Sequence, residues 1–218
     1  MKNKKKIVAI MPIKLNNERL PGKNTKLLGE KPLLTYALEA LIATNLLEDI
    51  YVYCSSEEIV DYLPVGVSFL KRPDYLDCSS SNFTQIFETF MGVIDADIYV
   101  YAHATAPFLK AETILECISE VALENYDSSF SAIKIQDYFW EDGKPLNFDA
   151  ANLPRSQDLK PIYRETSGIY VFTKEVFRNL RRRIGEKPYI KEVNFKESID
   201  INNPEDFELA KTLLNVNL

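Results

Sequence analysis

The stretch "LNNERLPGKN" at residues 15–24 joins two apolar runs and sets Arg19 and Lys23 around a Pro-Gly turn, with Lys14 just ahead. Three cations on one short loop, with Gly22 letting the backbone come close, could hold an anion carrying several phosphates. The same composition also suits a surface loop whose charges face water. It is not a Walker loop, since GxxxxGK[ST] is missing, and no GxGxxG occurs. A second stretch, "SIDIN" at 198–202, puts Ile199 and Ile201 on one side of an extended chain and Asp200 and Asn202 on the other. His103, the only histidine, lies near the end of the apolar run "DIYVYAHA" at 97–104.

The elements that must hold these residues alternate. Short apolar runs at 6–13, 49–55, 67–72 and 97–104 read as buried strands, and 128–137 alternates like one. Between them, 31–45, 56–63, 81–94 and 111–125 have helical spacing or helix-start residues. This order implies a mainly parallel sheet with helices on both faces. Ligands of such sheets bind beyond the carboxyl ends of strands, which is where the 15–24 loop leaves the first strand. Residues 138–163 break the alternation and read as an excursion from one domain spanning 1–218. The pattern returns with a strand at 167–173, a helix at 174–180, a strand at 197–201 and a helix at 204–216 opened by Pro204.

The 218 residues carry 26 basic and 32 acidic side chains, a net charge of −6, which argues against a nucleic-acid groove. "KNKKK" at the start and "RRR" at 181–183 read as solvated faces. "IVAIMPI" is too short and too quickly followed by Lys14 for a signal peptide, and no run reaches the ~18 apolar residues of a membrane span. Three scattered cysteines, with no CxxC, suit a reducing compartment. A cytoplasmic protein is expected.

The run "MPIKLNNERLPGKNTKLLGEKPLLTYALEAL" resembles the N-terminal signature of the acylneuraminate cytidylyltransferases, the CMP-sialic-acid synthetases and their CMP-nonulosonate relatives. "RLPGKN" and "GEKPLL" carry the likeness. "RPDYL" with the serines beyond it, "HATAPF", "PRSQ", "YRETSGIYVF" and "SIDINNPEDFELA" follow in the family's order along nearly the whole chain. The resemblance implies a three-layer α/β/α nucleotidyltransferase fold, Rossmann-like. It implies transfer of CMP from CTP to an acidic sugar, release of pyrophosphate, and Mg²⁺. Clustered cations and a metal on the phosphate oxygens are what that chemistry requires.

Carried over residue by residue, Lys14 and Lys23 hold phosphates, with Arg19 and Asn17 of the same loop beside them. Arg72, Ser79 and Ser80 serve the cytidine, although Arg72 also suits a salt bridge and the serines a helix cap. His103 and Thr105 lie near the sugar. Arg155, Arg164 and Tyr170 surround its acid, a carboxylate being a good bidentate partner for a guanidinium. A loop salt bridge is the plain alternative for each arginine, ordinary strand packing for Tyr170, and simple packing for His103. Asp200 and Asn202 are the expected metal pair. One carboxylate plus substrate phosphates is a normal Mg²⁺ arrangement, and a helix cap is the other reading of Asp200.

Several departures mark a divergent branch. Asn202 stands where the family has a second Asp, Lys14 where it has Arg, and "HATAP" where it has a Gln-bearing run. The acceptor is therefore open, and weakened metal binding is expected. Two rivals stay in view. One is a nucleotide-sugar glycosyltransferase, for which Asp95-Ala96-Asp97 offers the motif, although at the amino end of its strand. The other is a catalytically weak nucleotide-binding relative. The aromatics Tyr138, Phe139 and Trp140 opening the excursion, with the family's habit of dimerising there, imply a homodimer.

Overall fold

A computed structural model describes residues 4–216. Seven strands form one sheet: β1 (Ile7–Ile13), β2 (Asp49–Cys54), β3 (Ser68–Lys71), β4 (Ile98–Ala102), β5 (Ser128–Ile135), β6 (Ile162–Thr173) and β7 (Pro188–Glu192). Their order is β7-β5-β6-β4-β1-β2-β3, parallel throughout except for β6, which runs against both neighbours.

Both faces of the sheet are covered, and β1 shows how. Ile7, Ala9, Met11 and Ile13 enter one apolar cluster, with α1 (Leu33–Ala43) and α3 (Ala111–Ala122) packed over it. Val8 and Ile10 enter the other, with α2 (Phe83–Met91) and α4 (Lys174–Leu180). Strand β4 divides the same way: Ile98, Val100 and Ala102 face the first cluster, Tyr99 and Tyr101 the second. A strand buried on both faces has no polar alternation to show, which is why these runs are continuous in apolar residues. The result is the three-layer α/β/α sandwich the pattern implies. A smaller cluster joins α5 (Pro204–Leu214) to Leu20, Leu28 and Leu33, tying the last helix to the first loop.

Four expectations need correction. Residues 197–201 are not a strand. Glu197 and Ser198 belong to a turn, 199–201 form no regular element, and the backbone at 201 is claimed elsewhere: the Ile201 N–H donates to Thr105 O at 2.9 Å and the Ile201 carbonyl accepts Lys23 Nζ at 2.8 Å. The side-chain alternation holds only from Ile199 on, with Ile199 and Ile201 buried and Asp200 and Asn202 partly exposed, whereas Ser198 is buried as well. The seventh strand is instead 188–192, at the sheet edge beside β5, where a half-exposed face weakens the apolar pattern. The segment at 57–62 is a 3₁₀ helix behind Ser56. Strand β6 starts at 162, inside the expected excursion, and its register shifts between Glu165 and Tyr170, with Ser167 at φ +58°. The rest of the excursion is irregular apart from a short 3₁₀ turn and one tight hairpin, Trp140–Glu141 against Lys144–Pro145. Its turn is Asp142-Gly143, both at positive φ, the pairing a two-residue hairpin favours.

Candidate functional site

Beyond the carboxyl end of β1, Gly22 takes the left-handed conformation (φ +63°) and starts the 3₁₀ turn Lys23–Thr25. That turn folds Lys23 inward, leaving it 8% exposed. Burial lowers its pKa from the ordinary lysine value, with Arg19 adding to the effect and Asp200 and Asp206 opposing it. Asn24 Nδ2 donates to Lys14 O at 3.1 Å and fixes the strand's exit. Lys14, Asn17, Arg19, Lys23 and Ser79 line one hollow of about 310 Å³. Its charge is basic, and Asn17 Oδ1 is buried there with no hydrogen-bond partner among the described residues. Lys23 and Asn24 are thus folded inward, while Asn16, Glu18, Arg19 and Pro21 stay exposed.

Asp200 and Asn202 sit on the rim. Asn202 Nδ2 donates to Asp200 Oδ2 at 2.7 Å, and Arg19 donates to Asn202 Oδ1 at 3.0 Å. The two partners fix the amide's sense: a carboxylate needs a donor and a guanidinium an acceptor. Asn202 therefore turns its nitrogen, not its oxygen, toward Asp200, and ligating a metal beside Asp200 requires the amide to flip and give up both bonds. The backbone behind is tied to α5: Asp206 Oδ2 accepts the N–H groups of Asn202 (2.8 Å) and Asn203 (3.0 Å), and Asn203 Oδ1 accepts Asp206 N–H in return. Asn203, not Asp200, caps that helix. A second hollow, about 510 Å³, opens on the far side of Asn202, with Arg164, Ser167 and Asp200 on its walls. Asn202 is common to both hollows.

The donor set fits Mg²⁺ only in part. Among the described residues no group of three or more His, Cys, Asp or Glu could hold a metal. Asp200 alone, with phosphate oxygens completing the shell, matches the way Mg²⁺ is commonly held.

Arg72, just past β3, is 2% exposed. Its guanidinium pairs with Asp77, and its Nε has no partner among the described residues. A buried donor of that kind is costly unless a ligand or water meets it. Ser79 faces the basic hollow, whereas Ser80 lies against Cys78 Sγ at 3.1 Å. Neither serine caps α2, which has its own capping box through Asn82 and Gln85.

His103 follows β4 and anchors through its N–H to Gly168 O at 3.1 Å. Desolvation, then the nearby Arg183, lowers its pKa to about 4; Asp200 opposes this and Lys23 adds to it. The imidazole is therefore neutral at pH 7, suited to hydrogen bonding and poor as a base. Thr105 contributes its carbonyl to Ile201, holding the Asp200 segment against the end of β4.

The acid-binding expectations divide. Arg164 is exposed on the larger hollow. Arg155 is exposed and bidentate to Asp158 (2.7 and 3.1 Å), a loop salt bridge lining neither hollow. Tyr170 is buried; its hydroxyl donates to Glu165 Oε2 at 2.7 Å, and Arg183 covers its ring at 3.6 Å. Arg181 and Arg182 are surface residues paired with Glu88 and Glu186, as a solvated face requires. Arg183 is not. Arg181 ends α4 in the left-handed conformation (φ +57°), and the chain turns Arg183 back onto Tyr170. Only the end of that helix signals this in the sequence.

Asp95-Ala96-Asp97 lies at the opposite end of the sheet, where Asp97 accepts Lys6 N–H at 2.7 Å and Asp95 pairs with Lys174. This removes the motif behind the glycosyltransferase reading from the crevice.

Comparison with known proteins identifies the family and the fold. The family model for cytidylyltransferases matches residues 8–218. The chain is 27% identical to the CMP-N,N'-diacetyllegionaminic acid synthase of Legionella pneumophila, over 97% of each. It is 26% identical to N-acylneuraminate cytidylyltransferase A of Danio rerio, over 94% of this chain and 50% of the relative. The chain thus spans about half the length of that relative, and 52% of the Escherichia coli N-acylneuraminate cytidylyltransferase. Among solved structures, CMP:2-keto-3-deoxy-manno-octonic acid synthetase complexed with CTP superposes with a TM-score of 0.71 at 15% identity, covering 96% of this chain and 98% of that one. The 4-diphosphocytidyl-2C-methyl-D-erythritol synthase of Anaerococcus prevotii gives 0.68 at 14%, covering 98% and 100%. The two structural likenesses establish the nucleotidyltransferase fold, and the match over residues 8–218 places the chain in the cytidylyltransferase family.

Proposed function

We propose that this chain transfers CMP from CTP to a hydroxyl of an acidic sugar of the nonulosonic type. The sugar oxygen forms a bond to the α-phosphorus, the bond to the pyrophosphate oxygen breaks, and the hydroxyl proton passes to water. The observation that carries the reading is the meeting of two unlike hollows at Asn202: a basic one shaped for a triphosphate, and a second whose wall holds Asp200. Relatives named for sialic acid, legionaminic acid and 3-deoxy-manno-octulosonate support an acidic sugar as acceptor.

In this scheme Lys14, Lys23 and Arg19 neutralise the phosphates, with Asn17 offering its buried amide. Arg72 and Ser79 meet the nucleoside, and Ser80 stands behind Ser79. Asp200 holds Mg²⁺, which neutralises charge on the phosphate oxygens when bound. His103 and Thr105 border the acceptor. Neutral His103 orients the sugar by hydrogen bonding, since a group with a pKa of about 4 gains little as a proton acceptor near neutrality. The protein works as a homodimer in the cytoplasm; no helix among the described residues is long and apolar enough to cross a membrane.

The test is incubation with CTP, Mg²⁺ and a panel comprising N-acetylneuraminate, legionaminate, 3-deoxy-manno-octulosonate and neutral hexoses, following pyrophosphate. Release with at least one of the acids and none with the hexoses is expected. Nucleotide binding without turnover on any acceptor would favour the inactive-relative reading.

A further inference from the structure

We infer that Arg183 is the residue that recognises the acceptor's carboxylate, an inference that rests on the acidic-sugar reading above. Its guanidinium is fixed by aromatic rings: Cζ lies 3.6 Å from the centroid of Tyr170 and 5.5 Å from that of Phe83. The side chain is only 26% exposed, yet its guanidinium makes no hydrogen bond to any described residue. The nearest carboxylate, Glu165, is 4.0 Å away and already accepts the Tyr170 hydroxyl at 2.7 Å. A planar group with five donors, stacked so that its edge stays open and mostly withdrawn from water, is prepared for a planar anion that binds bidentately.

Position supports the same role. Tyr170 lies beside β4 in the sheet, and its ring neighbours that of His103 at 6.2 Å. Arg183, Asp200 and Lys23 all act electrostatically on His103, although Arg183 itself lines neither hollow. Arg155, the residue the motif offers for this task, is exposed and already bidentate to Asp158. Arg164 lines the larger hollow from an exposed position. Arg183 alone of the three is half-buried, stacked on aromatic rings and without a hydrogen bond to any described residue.

The experiment compares wild type with Arg183→Gln and Arg183→Lys, using CTP and whichever of N-acetylneuraminate, legionaminate or 3-deoxy-manno-octulosonate wild type uses best. The carboxamide of that acid is tested in parallel. Expected is a rise of about tenfold or more in the acid's KM for Arg183→Gln, with the CTP KM changed by less than about twofold, and a smaller rise for Arg183→Lys, which keeps charge but not the fork. Preference for the acid over its carboxamide collapses in Arg183→Gln. An unchanged acid KM, or equal loss for both substrates together with a lowered Tm, overturns the inference by making Arg183 a packing residue. Should Arg183→Gln fail to fold, Arg183→Lys carries the same comparison. Failure of wild type itself on every acid removes the acidic-sugar reading, an outcome seen without any variant.

Discussion

Asn202 shows how one amide can replace a charge without emptying a site. It donates to Asp200 and accepts from Arg19, so the carboxylate is tied to a neighbouring side chain of the protein itself. A carboxylate at 202 would face Asp200 at hydrogen-bond distance, a like-charge repulsion that Arg19, 3.0 Å away, offsets only in part. Asn202→Asp is therefore expected to lower the Tm in EDTA and to gain more Tm from Mg²⁺ than wild type does. The Mg²⁺ needed for half-maximal transfer at saturating CTP should fall. A Tm response to Mg²⁺ equal to that of wild type would remove residue 202 from the metal's surroundings. His103 gives a prediction of different sign. Its folded pKa, about 4, lies below the ordinary 6.5, so the unfolded chain binds the extra proton first. Stability is then full above pH 6.5 and is lost as pH falls toward 4, by up to about 3 kcal/mol at 1.36 kcal/mol per unit. Melting curves of wild type and His103→Asn from pH 7.5 to 4.5 check this. The difference should shift in favour of the variant below pH 6.5, and a constant difference would mean that the imidazole is not held neutral.

At the scale of elements, α5 does more than close the fold. Its first turn supplies Asp206, whose carboxylate accepts the N–H groups of Asn202 and Asn203 and so fixes the segment that bears Asp200. Asn203→Ala removes only the cap to Asp206 N–H and should cost about 1 kcal/mol in urea unfolding, with turnover nearly kept. Asp206→Ala keeps that cap but frees the N–H groups at 202 and 203, so its turnover should fall well beyond what lost stability explains. Equal turnover in the two variants would show that the cap and the site are independent. Pro204 and the acidic first turn made this helix legible from sequence, and period-2 alternation correctly buried Ile199 and Ile201 while leaving Asp200 accessible. The same alternation misread the segment as a strand, because alternation reports which side chains are buried and not which backbone groups pair. Strand β7 was illegible for the converse reason: a half-exposed edge strand with Lys191 and Glu192 carries little apolar pattern. The 15–24 loop was legible as a cluster of cations. That Lys23 would be buried and bonded to Ile201 O depends on contacts 178 positions apart. Arg183 was hidden among three consecutive arginines, two of which are the surface residues such a run ordinarily contains.

At the scale of the whole molecule, an acidic protein keeps a basic crevice, and its apolar surface is unevenly spread. In the excursion after β5, Trp140, Leu146 and Leu153 are 60%, 57% and 63% exposed. These side chains are not on a loose loop. The Asp142-Gly143 turn closes the hairpin, Asn147 bonds the backbone at Phe139 (2.8 Å) and Asp137 (2.9 Å), and Phe148 packs edge-on against both Tyr138 and Trp140. A preformed apolar projection gives up little ordering entropy on association, and aromatic anchors of this kind dominate binding energy where they enter a partner. The proposed homodimer therefore places this segment at its centre. Light scattering at micromolar concentration should give twice the mass of 25.0 kDa. Trp140→Ser with Leu146→Ser should give the monomer while leaving the Tm of the sheet domain nearly unchanged, because neither side chain belongs to an apolar core cluster. If the dimer persists in that double variant, the interface lies elsewhere on the molecule. If wild type is already a monomer, the homodimer is excluded and the acceptor site must be complete within one chain.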